Sequence, residues 1–207
     1  MKKHVVLLLG LTLIIQSCAK IFYSPDARSL ANSHKIIAIA PPKISIAARK
    51  NIDASSLIEQ QNTESINFQK EMYSWMLKRK MQGSIIVEIQ DIETTNAKLS
   101  NAGYNEGKVL TPKEMCGILG VDGIMTSNYA LSKPMSEGAA IAIGLIVGVW
   151  GATNETTVSL SIHDQKMNKM IWNFSHKLSS SLSTPGRLVD ALMRQASRKM
   201  PYFASPY

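Results

Sequence analysis

Among the residue types that can carry chemistry in this sequence, Cys18 has the most informative surroundings. It follows a leader in which Lys2 and Lys3 precede an almost wholly apolar run at 5–15. A charged start followed by such a run is typical of a signal peptide that is cleaved after export. As a helix, a run of about 11 residues rises only about 16 Å, whereas the hydrocarbon core is about 30 Å thick. The sequence therefore predicts that residues 1–17 are removed and do not span a membrane.

The residues that end this leader favour attachment of lipid to Cys18. Ile15, Gln16, Ser17 and Cys18 place an aliphatic, a variable and a small residue before a cysteine, which resembles the lipobox of bacterial lipoproteins. At such a site the thiol receives diacylglycerol, and several acyl chains on one residue form a lasting anchor, since each buried CH₂ contributes about 0.8 kcal/mol. The alternative is an ordinary secretory signal that contains a cysteine. We expect a palmitate-type lipid on Cys18 and no other cofactor.

The residue after the cysteine predicts which membrane holds the anchor. In the familiar sorting rule for such lipoproteins, an aspartate at this position retains the protein at the inner membrane, and here the residue is Ala19. We therefore expect a lipid anchor in the outer membrane, with the protein on its periplasmic face.

The other reactive residues show no spacing typical of an active site. Cys116 lies in an apolar stretch and is predicted to be a buried structural thiol. His163 and His176 fall on opposite arms of a predicted hairpin and are expected to be surface residues of that hairpin. The alternative is a facing pair, but two ligands of one kind make a weak metal site. Asp122 precedes Gly123, where a turn or capping role is expected. The histidines of the chain are His4, His34, His163 and His176.

The composition and the motifs exclude several functional classes. The formal net charge is +8, but most basic residues are scattered along the chain. Such basicity suits an anionic envelope surface as well as a nucleic acid, and no nucleic-acid motif is present. Neither a glycine-rich phosphate loop nor a Gly-x-Ser-x-Gly elbow occurs. We expect a protein that is not an enzyme and has no nucleic-acid partner, no small-molecule substrate and no metal.

The hydrophobic pattern predicts the elements that surround these residues. Alternating or continuous apolar runs predict strands at 35–40, 84–90, 121–131, 155–163 and 169–177, and helical periodicity predicts helices from about 63 to 83, 92 to 102, 112 to 120 and 188 to 200. The expected fold class is α/β, a single mixed β-sheet of about five strands with helices packed against it. The predicted organisation is a signal peptide at 1–17, a lipidated N-terminus and tether at 18–34, a single domain at 35–203 and a tail at 204–207.

Local signals place some of these elements more firmly. Thr111 and Glu114 form a predicted capping box, with Pro112 at the first helical position, and Gly120 is expected to end that helix in a left-handed conformation. Asp91 is a predicted N-cap. The stripe of Phe68, Met72, Trp75 and Met76 predicts one buried helix face against the sheet. Residues 43–62 are predicted to form a loop.

One segment stands out because it is uncharged and almost wholly apolar. Residues 138–151 read GAAIAIGLIVGVWG. As a helix the segment would present a small-residue face through Gly144 and Gly148, and as a strand it would place large apolar residues on one side. It must be covered by the core, by another subunit or by lipid. The residues expected at a membrane or subunit contact are Ile141, Ile143, Gly144, Leu145, Val147, Gly148, Val149 and Trp150.

Several stretches together are similar to a superfamily of envelope proteins. KIIAIAPP at 35–42, the stretches 110–131 and 158–175, and the last helix running into Pro201 resemble the curli-secretion channel lipoprotein and the N-terminal domain of the Tol-Pal periplasmic protein. The resemblance implies a periplasmic α/β domain that assembles with other proteins and performs no catalysis. The segment 138–151 lies where the curli channel lipoprotein inserts a membrane hairpin.

The sequence as a whole thus leads to one hypothesis and two alternatives. The first is a non-enzymatic, membrane-anchored periplasmic lipoprotein that acts as an assembly or scaffolding component of an envelope complex. Its partners would be the membrane, through the lipid anchor, and envelope proteins or further copies of this chain. The first alternative is a component of an oligomeric outer-membrane secretion pore. The second is a hydrolase of envelope polymers, which the missing catalytic motifs disfavour.

Overall fold

A mixed β-sheet of seven strands forms the centre of the domain. The computed structural model describes residues 19–47, 53–104, 107–132, 155–179 and 184–203. The strands are β1 (Lys20–Tyr23), β2 (Ile36–Ile39), β3 (Lys43–Ile46), β4 (Glu88–Ile89), β5 (Gly123–Leu131), β6 (Glu155–Asp164) and β7 (Lys169–Ser179). Their order is β1-β7-β6-β5-β2-β4, and β3 also pairs with β5. The predicted α/β fold with one mixed sheet is confirmed, with two strands more than the expected five.

Helices cover the sheet unequally on its two faces. The helices of the described residues are α1 (Ala27–Ser33), α2 (Ala54–Met81), α3 (Ile92–Asn101), α4 (Pro112–Leu119) and α5 (Pro185–Ser197). On the first face, α2 and α5 pack over the large side chains of the sheet, including Ile39, Tyr129 and Trp172. On the second face, α3 and α4 cover β2, the start of β5 and part of β6, with Ala38, Ala40 and Ile124 among the buried side chains. Helices of the described residues leave the remainder of the second face, along β5, β6 and β7, open.

The predicted helix signals are confirmed. Phe68, Met72, Trp75 and Met76 are all buried on the side of α2 that faces the sheet. Thr111 and Glu114 form both hydrogen bonds of the capping box, and Gly120 ends α4 with a φ of 72°. The Asp91 side chain accepts a hydrogen bond from the Thr94 amide and so caps α3. None of the described helices has the length and apolarity that crossing a bilayer requires.

The stretch expected to be a structureless tether belongs instead to the folded body. β1 pairs antiparallel with β7, with Lys20 opposite Ser175 and Tyr23 opposite Trp172. Ile21 packs against the core, and in α1 Ala27 is buried. The tether prediction fails because a four-residue strand is too short to display a period.

The stretch after β2 also differs from its prediction as a loop. The predicted loop at 43–62 is wrong at its start, because after Pro41 and Pro42 the strand β3 resumes pairing with the same strand, β5. Ile39 lies opposite Met125 and Lys43 opposite Asn128, so β2 and β3 form one strand line with an extra residue at the two prolines. Such a bulge accommodates proline because the ladder is locally interrupted. α2 then begins at Ala54, well before the predicted start.

The strand predicted at 84–90 is shorter in the structure. Only Glu88 and Ile89 pair with β2, while Ile85 forms an isolated bridge with Phe203 near the C-terminus. One sheet edge is therefore only two residues long.

Candidate membrane-facing end of the domain

The residues predicted to contact lipid or another subunit lie outside the described residues. These are Cys18 and the set in 138–151, namely Ile141, Ile143, Gly144, Leu145, Val147, Gly148, Val149 and Trp150. The structure does describe the points at which the chain reaches these segments. Their positions on the sheet define which end of the domain carries both.

The N-terminal point of attachment is β1. Strand pairing places Lys20, Ser175, Ser159, Asn128 and Lys43 in one row across the sheet. Cys18 precedes Lys20 by two residues, so its Cα lies within about 7 Å of the first strand residue. The predicted anchor is therefore separated from the sheet by a very short length of chain.

The apolar segment is attached at the same end of the sheet. Leu131 at the end of β5 lies opposite Thr156 at the start of β6, so residues 133–154 leave and return at paired positions. Leu131 is three residues beyond Asn128, or about 10 Å along the strand, and β5 is three strand spacings, about 14 Å, from β1. The attachment points of both predicted contact segments are thus separated by less than about 20 Å.

The open face next to this end is polar and basic. Lys20 and Lys43 are exposed, and so is Lys177, two residues beyond Ser175 toward this end. Between them lie hydroxyl and amide side chains, among which Asn173 Nδ2 donates hydrogen bonds to Ser159 Oγ and Ser161 Oγ, both at 2.9 Å. Among the described residues, this face carries positive charge, and Phe22 adds an exposed apolar side chain to it.

A buried cluster that the sequence analysis missed lies at the opposite end of the long strands. His34 Nε2 lies 2.8 Å from Asp164 Oδ2, and His34 Nδ1 lies 2.6 Å from the Tyr202 hydroxyl. A carboxylate, an imidazole and a hydroxyl in line can relay a proton, but all three residues are less than 9% exposed. The cluster therefore joins three distant parts of the chain and offers no surface to a substrate.

No spacing in the sequence could have found this cluster, since its members come from a helix end, a hairpin turn and the C-terminal segment. Asp122 beside it has the structural role that was expected. Its Oδ2 accepts hydrogen bonds from the Lys35 and Ile36 amides at 2.7 Å and 3.0 Å, and so fixes the start of β2. Burial alone would raise the pKa of Asp122, but these amides lower it overall.

The remaining candidates for chemistry are not brought together. His163 lies opposite Met170 and His176 lies opposite Val158, so the two histidines do not face each other. His176 is buried, so its expected place on the hairpin surface is wrong. Burial raises the pKa of the Cys116 thiol to about 12, with Asp164 and Asp122 contributing. Such a thiol is a weak nucleophile near neutral pH, because the thiolate is the reactive form. Within the described residues, no group of histidine, cysteine and carboxylate side chains is placed to hold a metal ion.

Comparison with known proteins gives distant structural likenesses. No family model and no curated protein matches the chain. It is similar to the lipoprotein GNA1162 from Neisseria meningitidis, at 12% identity over 79% of this chain and 98% of that one, with a TM-score of 0.42. It is also similar to the PelC dodecamer from Paraburkholderia phytofirmans, at 10% identity over 91% of this chain and 99% of that one, with a TM-score of 0.40. A third similar structure is the LpoB C-terminal domain from Salmonella enterica, at 8% identity over 74% of this chain and 96% of that one, with a TM-score of 0.35. The first of these structures is a lipoprotein.

Proposed function

We propose that this protein is a non-enzymatic lipoprotein of the cell envelope, anchored by lipid on Cys18 in the outer membrane and serving as an assembly or scaffolding component on the periplasmic side. The close attachment of the anchor to the sheet carries this proposal. Because β1 begins at Lys20, two residues after Cys18, the acylated cysteine holds the folded body against the membrane surface and not at the end of a long tether. A scaffold benefits from such fixed placement, since its partners meet it at one height and orientation.

The apolar segment supports the same orientation. Residues 133–154 are attached at Leu131 and Thr156, on the end of the sheet where β1 begins. With the anchor holding that end at the bilayer, 138–151 starts close to lipid and to neighbouring anchored copies. The exposed ammonium groups of Lys20 and Lys43 would then lie near anionic headgroups, whose potential extends about one Debye length, roughly 8 to 10 Å.

Replacing Cys18 tests the anchor. Cys18→Ser should abolish incorporation of labelled palmitate and move the protein out of the outer-membrane fraction, because serine offers no thiol for the lipid. Ser17→Ala is the matched control, since it keeps a small residue before the cysteine and should leave both labelling and location unchanged. Firm retention of the unlabelled Cys18→Ser variant in the outer membrane would contradict an anchor through this residue.

The second candidate function is a component of an oligomeric secretion pore. The observation that favours it is the insertion of 138–151 into a β-hairpin connection, so that both ends of the segment meet the sheet as paired strands. A pore requires ring-shaped oligomers and ion conductance in planar bilayers, whereas a scaffold requires neither. Mass measurement of the detergent-solubilised protein and conductance recordings distinguish the two functions.

A further inference from the structure

A cleft opens at the carboxyl end of β2, beside the row of residues that contains Lys43 and Asn128. Its volume is about 740 Å³, and it is bounded by Pro41 and Pro42, by the outer side of α2 near Asn62, and by α3 near Asn96. Ligand sites in proteins typically have volumes of about 300 to 1,000 Å³. The cleft is therefore large enough to receive a ligand or a segment of another protein.

The topology of the sheet creates this cleft. From the β2–β3 strand line the chain passes to α2 on the first face, while from the neighbouring strand β4 it passes to α3 on the second face. Connections that leave adjacent parallel strands toward opposite faces open a crevice at the strand ends, where α/β proteins commonly bind ligands. Gln69 links the two sides, because its Nε2 donates to the Ile39 carbonyl and to Asn96 Oδ1 at 2.8 and 2.9 Å. The crevice has a rigid floor.

The lining residues are rich in amides and carry positive charge. Gln61, Asn62, Asn96 and Asn128 contribute side-chain amides, and the charged lining residues are Lys43 and Lys108. No lining residue that the structure describes is a carboxylate. Both lysines are exposed, so their ammonium groups are accessible to a ligand in the cleft.

Aliphatic side chains form the rim of the cleft. Val109 is 85% exposed and Ile66 is 45% exposed, and both line it. The aromatic residue of the described lining is Tyr104, whose hydroxyl donates to the Pro41 carbonyl at 3.3 Å. Tyr104 is partly buried and packs against the apolar cluster of the second face. Amides together with an aliphatic rim match a peptide better than a glycan.

We infer that this cleft binds an extended, acidic peptide segment of a partner protein. Side-chain amides can pair with the N–H and C=O groups of an extended main chain, Val109 and Ile66 contact its apolar side chains, and Lys43 attracts its carboxylates. The inference rests on the proposed scaffolding role, since it names the surface at which a partner docks. Binding can nevertheless be measured without reference to membrane location.

The test uses the lipidated protein in detergent micelles and a fluorescein-labelled decapeptide of alternating glutamate and valine. Fluorescence anisotropy should show saturable binding that weakens with added salt, because exposed charges are screened. A lysine–valine decapeptide should bind about tenfold more weakly or worse, since like charges repel at the cleft. Equal binding of the two peptides, or no binding of the acidic one, would overturn the inference even if Cys18→Ser behaves as expected.

Variants localise the binding to the cleft. Lys43→Glu should weaken binding of the acidic peptide by about tenfold, and Val109→Ser by about threefold through lost apolar contact. Lys166→Glu, an equal charge change in the turn between β6 and β7, is the matched control and should change binding less than about twofold. Thermal unfolding confirms that each variant is folded, since all three residues are exposed. Equal effects of the two lysine variants, or displacement of the peptide by polygalacturonate with no dependence on Val109, would contradict a peptide site.

Discussion

At the residue scale, Gly123 is the position that the buried cluster constrains most. A Cβ at this residue would lie 2.7 Å from His34 Cε1, 2.8 Å from His34 Nδ1 and 3.0 Å from the Tyr202 hydroxyl. His34 cannot retreat, because its other nitrogen is bound to Asp164. The glycine is required here by close approach, and the histidine ring occupies the space of its missing side chain.

Gly123→Ala should therefore lower the free energy of unfolding by about 1 to 3 kcal/mol, the usual cost of overfilling a packed site. A loss of this size lowers the thermal midpoint by several degrees in a domain of this length. Chemical and thermal denaturation measure both quantities. Gly117→Ala is the control, since a Cβ there meets nothing within 4 Å and alanine favours the helix. An equally stable Gly123→Ala variant would mean that the cluster is looser than its distances indicate.

At the element scale, β1 shows that part of the predicted tether belongs to the folded domain. Ile21 faces the core, whereas its neighbour Phe22 is 46% exposed on the other side of the strand. Ile21→Ser should lower the free energy of unfolding by about 1 to 3 kcal/mol, because it removes buried methylene groups and buries a hydroxyl.

Phe22→Ser is the matched control for this strand and should cost less than half as much, because it exchanges a half-exposed side chain. In the Ile21→Ser variant, the backbone amides of β1 and the β7 amides opposite them should exchange hydrogen faster than in the unaltered protein. In the Phe22→Ser variant, these exchange rates should stay unchanged. If the two serine variants are equally stable, β1 contributes little to the body, and the close spacing between anchor and domain loses its support.

The elements that the sequence predicted are those with long periods or complete local signals. The stripe from Phe68 to Met76 on α2 and the capping box at Thr111 each fix an element without help from the rest of the chain. β1, β3 and β4 have four, four and two residues, and their pairing depends on partners more than 80 residues away or on other strands that must form first. Tertiary contacts define these short strands, so no local pattern could place them.

The candidate site was predictable only in part for the same reason. The lipobox before Cys18 is a local motif, and the apolar composition of 138–151 is also a local property, so both can be recognised from the sequence alone. That both segments are attached at the same end of the sheet follows only from the strand register, in which Lys20 lies opposite Ser175 and Leu131 lies opposite Thr156. The cleft at Pro41 could not be seen either, because it depends on α2 and α3 lying on opposite faces.

At the scale of the whole molecule, we propose that the segment 138–151 forms a membrane or subunit contact of the domain. Replacing Ile143 and Val147 with aspartate should disperse the assembly or weaken membrane contact while the domain stays folded, because the segment leaves and returns at one point of the sheet. Light scattering, vesicle flotation and thermal unfolding measure the three properties.

The matched control places the same two charges beside the apolar run, as Ser136→Asp together with Asn154→Asp, and should change none of the three. If the segment belongs to the core, Ile143→Asp with Val147→Asp instead unfolds the protein, since buried unpaired carboxylates cost more than a typical stability of about 5 to 15 kcal/mol. A large drop in thermal midpoint, with no oligomer in the unaltered protein, would contradict the interface proposal.

The brevity of the two sheet edges has a consequence for a protein held on a membrane. Anchored molecules diffuse in two dimensions and collide far more often than the same number of molecules in solution. Long exposed strand edges would then promote uncontrolled edge-to-edge polymerisation. Among the described residues, β1, β3 and β4 each pair on one side alone, and they have four, four and two residues. Such short strands offer few unpaired backbone groups for β-pairing between neighbouring molecules. Contacts between anchored copies would then depend on surface side chains, which differ with sequence.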